Sequence, residues 1–414
     1  MAAKVIALMS SWQGWKGKAL NRFGAAAADN AGVLILGGSY GSLAVARSLG
    51  RRGIAVAFLG DVHSIAAASR YVQHLGVWKG VREPDPLAVV LDFAQMHKLD
   101  GWVILPAADF EVQLVAEARD ALAARFFPLG MDWQALSVLN EKARLYALAE
   151  SLGLDYPRVY PCNASPAALT YPVVVKPSST HALNALTKAK AWQANDAAQF
   201  ARMQSEASAL MGPEGFVVQQ RIPGDGLTQL SYAGLWDRGQ EICGMTARRL
   251  RQFPLDFGTS PYVQSIDLPD VAEEARRLLE AVGYTGLVEV EFKRDPRDGR
   301  LKLLDVNTRI WAWIGLGDAV GLDFAGMAFA LARGMAMPKA ARPQYGPAWR
   351  RAVPNMLSSV QDLMRNGRPG LAPVRAILGP AQSAIFAMDD LRPALADLPI
   401  QVRRRLSERA ARAS

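Results

Sequence analysis

With 414 residues, half of them hydrophobic and 21% charged, the chain lies outside the composition of disordered proteins, and at about 150 residues per domain it holds two or three. Its two cysteines, Cys162 and Cys243, exclude a disulfide framework and point to the cytoplasm. The net charge of +9 is confined to the ends, +3 over residues 1–30 and +7 over 341–414 against −1 between them, which argues against the broad basic face that grips nucleic acid.

The leader, 1–30, spaces Val5, Leu8, Met9, Trp12, Trp15 and Phe23 near a helical period with Lys4, Lys16, Lys18 and Arg22 between them. Gly14 and Gly17 each weaken that helix by about 1 kcal/mol. The segment reads as a frayed or amphipathic leader, and with the basic tail it allows a weak, peripheral contact with an anionic membrane. The opening run 4–9 is too short for a signal-peptide core. No apolar run reaches the ~20 residues that span a bilayer; 314–337 is interrupted by Asp318, Asp323 and Arg333.

From Val33 the pattern predicts an α/β domain over 31–135. A continuous apolar strand at 33–36 runs into Gly37-Gly38-Ser39-Tyr40-Gly41 and a helix over 42–49; strands follow at 54–59 and 102–105, and a helix over 109–124. Strands alternating with helices predict a doubly wound parallel sheet. The glycine turn can receive an anionic group at a helix N-terminus, and Asp61 stands twenty residues past Gly41, where a dinucleotide fold places its acid. The spacing is Gly-Gly-x-x-Gly, however, not Gly-x-Gly-x-x-Gly, and a dehydrogenase would leave the later half of the chain unexplained. The turn is read as substrate-positioning. A helix over 136–152 and strands at 173–175, 216–220, 287–292 and 301–306 follow. The tail beyond 340 is rich in Pro and Arg without strong periodicity and reads as a basic extension, 341–414.

The richest stretch is Leu287-Val288-Glu289-Val290-Glu291-Phe292, the turn Asp295-Pro296-Arg297-Asp298-Gly299, and Leu303-Leu304-Asp305-Val306-Asn307-Thr308-Arg309. Folding about that turn brings Glu291 opposite Leu304 or Asp305. Alternation puts Asp305 and Asn307 on one face, and in the register pairing 291 with 305 Glu291 joins them. Two carboxylates and an amide oxygen then converge, a hard-oxygen set suited to Mg²⁺.

This hairpin resembles the magnesium-binding strands of ATP-grasp ligases, whose usual ending is Glu-x-Asn-Pro-Arg; Asp305 and Thr308 stand here for Glu and Pro. Further pieces match in order. Asn140-Glu141-Lys142 is similar to the helix start before the nucleotide lobe, and Tyr171-Pro172-Val173-Val174-Val175-Lys176 to the strand carrying the nucleotide lysine. Val217-Val218-Gln219-Gln220-Arg221-Ile222 is similar to the adenine segment, and Arg248-Arg249-Leu250-Arg251 to a stretch that contacts phosphate or acyl groups. Ser69-Arg70-Tyr71 and the loop 106–111 resemble the preceding domain of carboxylate–amine ligases. The resemblance covers about residues 31–340.

It implies an ATP-grasp domain over 136–340 behind a Rossmann-like pre-ATP-grasp domain, and a ligase that activates a carboxylate as its acyl phosphate for capture by an amine, releasing ADP and phosphate. The implied cofactors are ATP and Mg²⁺, with Mn²⁺ able to replace it. Lys142 and Lys176 would meet phosphates, with Gln219, Gln220, Arg221, Ile222 and Asp225 around the nucleotide. Glu291, Asp305 and Asn307 would hold metal; Arg249, Arg251 and Arg309 would hold the acyl phosphate. Ser39, Tyr40, Gly41 and Asp109 would line the substrate pocket, with the substrate between the glycine turn and the arginines. A homo-oligomer is allowed. Alternatives are an ATP-dependent carboxylase and a non-catalytic nucleotide-binding module, the latter disfavoured because Glu291, Asp305 and Asn307 are all present.

Overall fold

A computed structural model describes residues 31–177, 191–224, 226–253, 258–337, 341–366 and 381–413. The leader, 178–181 and Asp225 lie outside the described residues. The chain divides into two compact units, one of Met1–Asp132, Ala325–Lys339 and Met388–Ser414, the other of Trp133–Phe324 and Ala340–Ala387.

In the first unit the strands β1 (Gly32–Leu36), β2 (Ala55–Gly60), β3 (Val72–Val77), β4 (Trp102–Pro106) and β5 (Phe126–Pro128) form a parallel sheet in the order β3-β2-β1-β4-β5. Val33 to Leu36 are all fully buried, so β1 is covered on both faces and reads as a continuous apolar run. The edge strand β3 alternates half-buried with exposed residues and is too polar to stand out in the sequence. Helices α1 (Tyr40–Arg51), α2 (Pro86–His97), α3 (Asp109–Glu117) and α4 (Arg119–Ala123) connect the strands. The single helix expected over 109–124 is broken at Ala118, whose ψ of 18° leaves the helical region.

The order reverses between β1 and β4, and the carboxyl ends of those strands are the crevice where doubly wound sheets take ligands. Gly38 is required there: its φ is +78°, and a Cβ would come within 2.6 Å of the Ala107 Cβ beyond β4. Ser42 Oγ donates to the Gly37 carbonyl at 2.8 Å and holds the turn against α1.

The second unit carries two sheets. Strands β6 (Val159–Tyr160), β7 (Val173–Pro177), β8 (Trp192–Ala194) and β9 (Phe216–Gln220) form a sheet ordered β6-β9-β7-β8. The larger sheet takes β10 (Gln229–Asp237), β11 (Gln240–Phe253), β12 (Thr259–Ser265), β13 (Gly286–Arg294), β14 (Leu301–Asn307), β15 (Ala348–Arg350) and β16 (Gln382–Ser383) in the order β14-β13-β10-β11-β12-β15-β16. Both sheets are antiparallel except where β15 and β16 pair in parallel. The helix expected over 136–152 is two, α5 (Trp133–Asn140) and α6 (Lys142–Ser151), because Glu141 between them is extended at ψ 118°.

The expectation of a separate extension over 341–414 is corrected: its described residues are shared between the units. β15 pairs with β12 in the large sheet, whereas Asp389 and Asp390 anchor to the first unit. Asp390 is 1% exposed and accepts from Arg47 Nε at 2.9 Å, Ser69 Oγ at 2.7 Å and the Arg70 N–H at 2.9 Å. Asp389 meets Arg51 and the Tyr71 hydroxyl, which hold its carboxyl below the usual range. The stretch 325–337 likewise belongs to the first unit, Arg333 donating to the Gly101 carbonyl and lying over the Phe127 ring.

Candidate active site

The hairpin folds in the register that aligns its acids. Glu291 pairs with Asp305 and Glu289 with Asn307, so all four share one face of the large sheet. β10 lies on the other side of β13, with Ser231 opposite Glu291. From β11, Arg249 reaches across to Glu291 at 2.6 Å and donates to Gln229 at 3.1 Å. Asn307 Nδ2 donates to Glu289 and Glu291, each at 3.1 Å, while Asn307 Oδ1 accepts from Arg309 Nη2 at 2.9 Å.

The register slips just past Glu291, where Phe292 pairs with Leu303 and leaves Leu304 as the extra residue of a bulge. That bulge supplies the contact with α6. The Leu304 carbonyl accepts from Lys142 Nζ at 3.1 Å and from the Tyr146 hydroxyl at 3.3 Å, and Lys142 also ion-pairs with Asp305. β14 is an edge strand, and its Leu303 N–H finds the Asp155 carbonyl at 2.7 Å, so α6 and the segment after it cover the edge. Thr308, in place of proline, donates to Asn140 at 3.1 Å and ties the end of β14 to the last residue of α5.

The charges tune one another. Burial favours a neutral Lys142, but Asp305, Tyr146 and Glu291 outweigh it and its pKa is raised. Lys176, on β7, is pulled down to about 8 by burial and by Lys142, against Asp305 and Glu291. The surroundings of Asp305 desolvate it, yet Lys142 and Lys176 hold its carboxyl below the usual range. Burial and then Glu291 push Glu289 upward, against Arg249.

Among the described residues no group of three or more His, Cys, Asp and Glu gathers as for a metal. The donor set here is instead two carboxylates and an amide oxygen. Such hard donors fit Mg²⁺ or Mn²⁺, which fill their remaining positions with water and phosphate oxygens.

Several expected residues are placed differently. The Gln219 side chain is buried and donates to Tyr146 at 2.7 Å, so it braces α6. The N–H groups of Gln220 and Arg221 donate to the Arg158 and Pro172 carbonyls. Ile222 is buried. Arg251 lies beyond a bulge in β11, opposite Tyr262, and it is Arg249 that pairs with Glu291. In the first unit, Ser39 directly precedes α1, Tyr40 and Gly41 open it, and Asp109 opens α3 after β4. Those four therefore stand at the switch point. Asp61, the acid of the dinucleotide reading, accepts from the His63 N–H at 2.6 Å in a tight turn. Glu289 and Tyr146 were not singled out from the sequence; polar residues at every second position of β13 were the signal for Glu289.

No protein-family model matches the sequence. Among curated proteins, the D-aspartate ligase of Enterococcus faecium (strain Aus0004) is 22% identical over 233 residues, 51% of this chain and 54% of the ligase. The match thus spans about half the length of that relative. Among solved structures, the biotin carboxylase complex with β,γ-ATP from Campylobacter jejuni superposes with a TM-score of 0.60 at 15% identity, covering 76% of this chain and 74% of that one. The L-amino acid ligase from Bacillus licheniformis gives 0.57 at 15% identity, covering 77% and 78%. The N5-carboxyaminoimidazole ribonucleotide synthetase from Thermus thermophilus gives 0.56 at 17%, covering 76% and 82%.

Proposed function

The chain carries the ATP-grasp fold together with an N-terminal Rossmann-like domain, and from that premise we propose that it is an ATP-dependent ligase joining a carboxylate to an amine, with release of ADP and phosphate. The observation that carries the reading is the row Arg249–Glu291–Asn307–Asp305–Lys142 on one face of the large sheet. A free carboxylate is a poor electrophile; phosphorylation turns its oxygen into a leaving group. The similarity to a D-aspartate ligase and an L-amino acid ligase supports an amide as product.

In this reading Glu291, Asp305 and Asn307 would hold Mg²⁺ or Mn²⁺, which would supply neutralisation of phosphate charge. Lys142 and Lys176 meet phosphates as point charges, and Ile222 closes the apolar side of a base slot, with Gln219, Gln220, Arg221 and Asp225 around it. Arg249 holds the acyl phosphate and its tetrahedral successor, with Arg309 fixing Asn307 beside it; Arg251 is assigned to the same acyl group. The crevice of Ser39, Tyr40, Gly41 and Asp109 takes a small substrate. We place the enzyme in the cytoplasm, in weak peripheral contact with anionic membrane through its basic ends. Among the described residues no helix is long and apolar enough to cross a membrane.

The test is trapping. With the correct acid and ATP, hydroxylamine should replace the amine and yield a hydroxamate in proportion to ADP. Lys176→Ala should lower both together, by about 30- to 1,000-fold for the loss of ~2–4 kcal/mol of transition-state stabilisation. Release of AMP and pyrophosphate would overturn the acyl-phosphate route. ADP release that requires bicarbonate would mark a carboxylase instead.

A further inference from the structure

Glu289 stands two residues before Glu291 on β13, directly opposite Asn307 on β14, and is 4% exposed. Its carboxylate receives hydrogen bonds from three sides. Trp313 Nε1 donates to Oε1 at 2.9 Å and Ser231 Oγ to the same oxygen at 3.1 Å. Asn307 Nδ2 donates to Oε2 at 3.1 Å and to Glu291 Oε1 at 3.1 Å.

Both oxygens of Glu289, and Glu291 Oε1, act here as acceptors, whereas an amide has one donating and one accepting end. Asn307, set between two carboxylates, therefore turns its NH₂ toward them. Its oxygen, the one atom of the group able to ligate a hard cation, faces away. There it accepts from Arg309 and retains a second lone pair. Trp313 and Ser231 in turn hold Glu289 still.

We propose that Glu289 is a positioning residue that fixes the Asn307 amide with its oxygen presented to the divalent cation. The proposal rests on the metal reading above. Glu289 itself does not touch the cation; it acts by excluding the flipped amide. Glu289→Gln weakens that selection at almost constant volume. The substituted amide keeps its oxygen toward Trp313 and Ser231 and turns its NH₂ on Asn307, so Glu291 alone holds that amide and the flipped form, which sets nitrogen where the cation needs oxygen, gains population. Adding Asn307→Asp places oxygens on both sides, one for the substituted amide and one for the cation.

The experiment measures the affinity of the full chain for a non-hydrolysable ATP analogue with and without Mn²⁺, by calorimetry. The readout is the factor by which Mn²⁺ tightens binding. Glu289→Gln should lose about 10- to 100-fold of that factor and keep the metal-free affinity, which also reports an intact fold. The double variant Glu289→Gln/Asn307→Asp should recover most of the loss, although Asn307→Asp alone sets a third carboxylate against two and loses it. An unchanged Mn²⁺ factor in Glu289→Gln, or no recovery in the double variant, would overturn the positioning role alone. No Mn²⁺ factor in the unmodified chain would overturn the metal reading and this inference with it.

Discussion

Lys176 titrates far below an ordinary lysine, at about 8, because burial and Lys142 oppose its charge more than Asp305 and Glu291 support it. A polyphosphate favours the ammonium, so nucleotide binding raises that pKa and draws in a proton. Affinity should be full below pH 8 and fall as the pH rises through about 8. Calorimetry just above that pH, in buffers of different ionisation enthalpy, should show proton uptake that vanishes in Lys176→Met; equal uptake by both proteins would refute the assignment. The effect on folding runs the opposite way with pH. The folded pKa lies below the unfolded one, so charged Lys176 costs stability at neutral pH, and the cost fades as the pH rises from about 8 toward about 10.4. At Glu291 the outcome is functional. Glu291→Ala should abolish ATP turnover with an unchanged circular dichroism spectrum, and Asp305→Glu should retain much of it; wild-type turnover by Glu291→Ala would remove the metal assignment.

Elements are joined through single polar side chains. Tyr146 on α6 receives Gln219 from β9 and gives its proton to Leu304 on β14, while its ring stacks on Tyr156 at 4.8 Å between centroids. Tyr146→Phe leaves the buried Gln219 amide without that acceptor and should cost about 1–3 kcal/mol, read by urea denaturation. In the first unit, Arg47 and Asp390 join residues 343 positions apart, with side chains 7% and 0% exposed. Asp390→Ala takes the carboxylate away from the buried Arg47 guanidinium and should destabilise that unit by about 3–5 kcal/mol, whereas Asp389→Ala removes a pair whose side chains are 42% and 41% exposed and should cost under about 1 kcal/mol. Similar losses for the two variants would contradict the burial argument. This anchoring also explains Ser69-Arg70-Tyr71: each of the three contacts Asp389 or Asp390.

Over the whole molecule, charge gathers at the ends, and the C-terminal helix Arg392–Ala413 exposes Leu395, Leu398 and Val402 at 77%, 70% and 48%. Their spacing of three and four sets them on one face. At roughly 1 kcal/mol for each basic residue near an anionic surface, the ends should bring the protein down with phosphatidylserine vesicles at low salt and release it at high salt. Equal sedimentation by a protein lacking 1–30 and 391–414 would refute that role. The sequence by itself determined what depends on local order: the buried run of β1, the glycine turn before α1, and the hairpin whose turn chemistry and alternation placed Glu291 against Asp305 and Asn307 on their face. Those features are legible because they involve near neighbours, a strand period and a turn. Only the tertiary structure decided what depends on distant partners. β10 brings Ser231 to the hairpin acids by pairing with β13, 58 positions on at Glu289, and carries β11 and Arg249 with it; no period announces that pairing. The Leu304 bulge, the redirection of Gln219 to Tyr146 and the burial of Asp390 against Arg47 each balance a buried polar group with a partner from another part of the chain. A buried charge or amide must be answered wherever the fold brings an answering group, and sequence spacing carries no record of that distance.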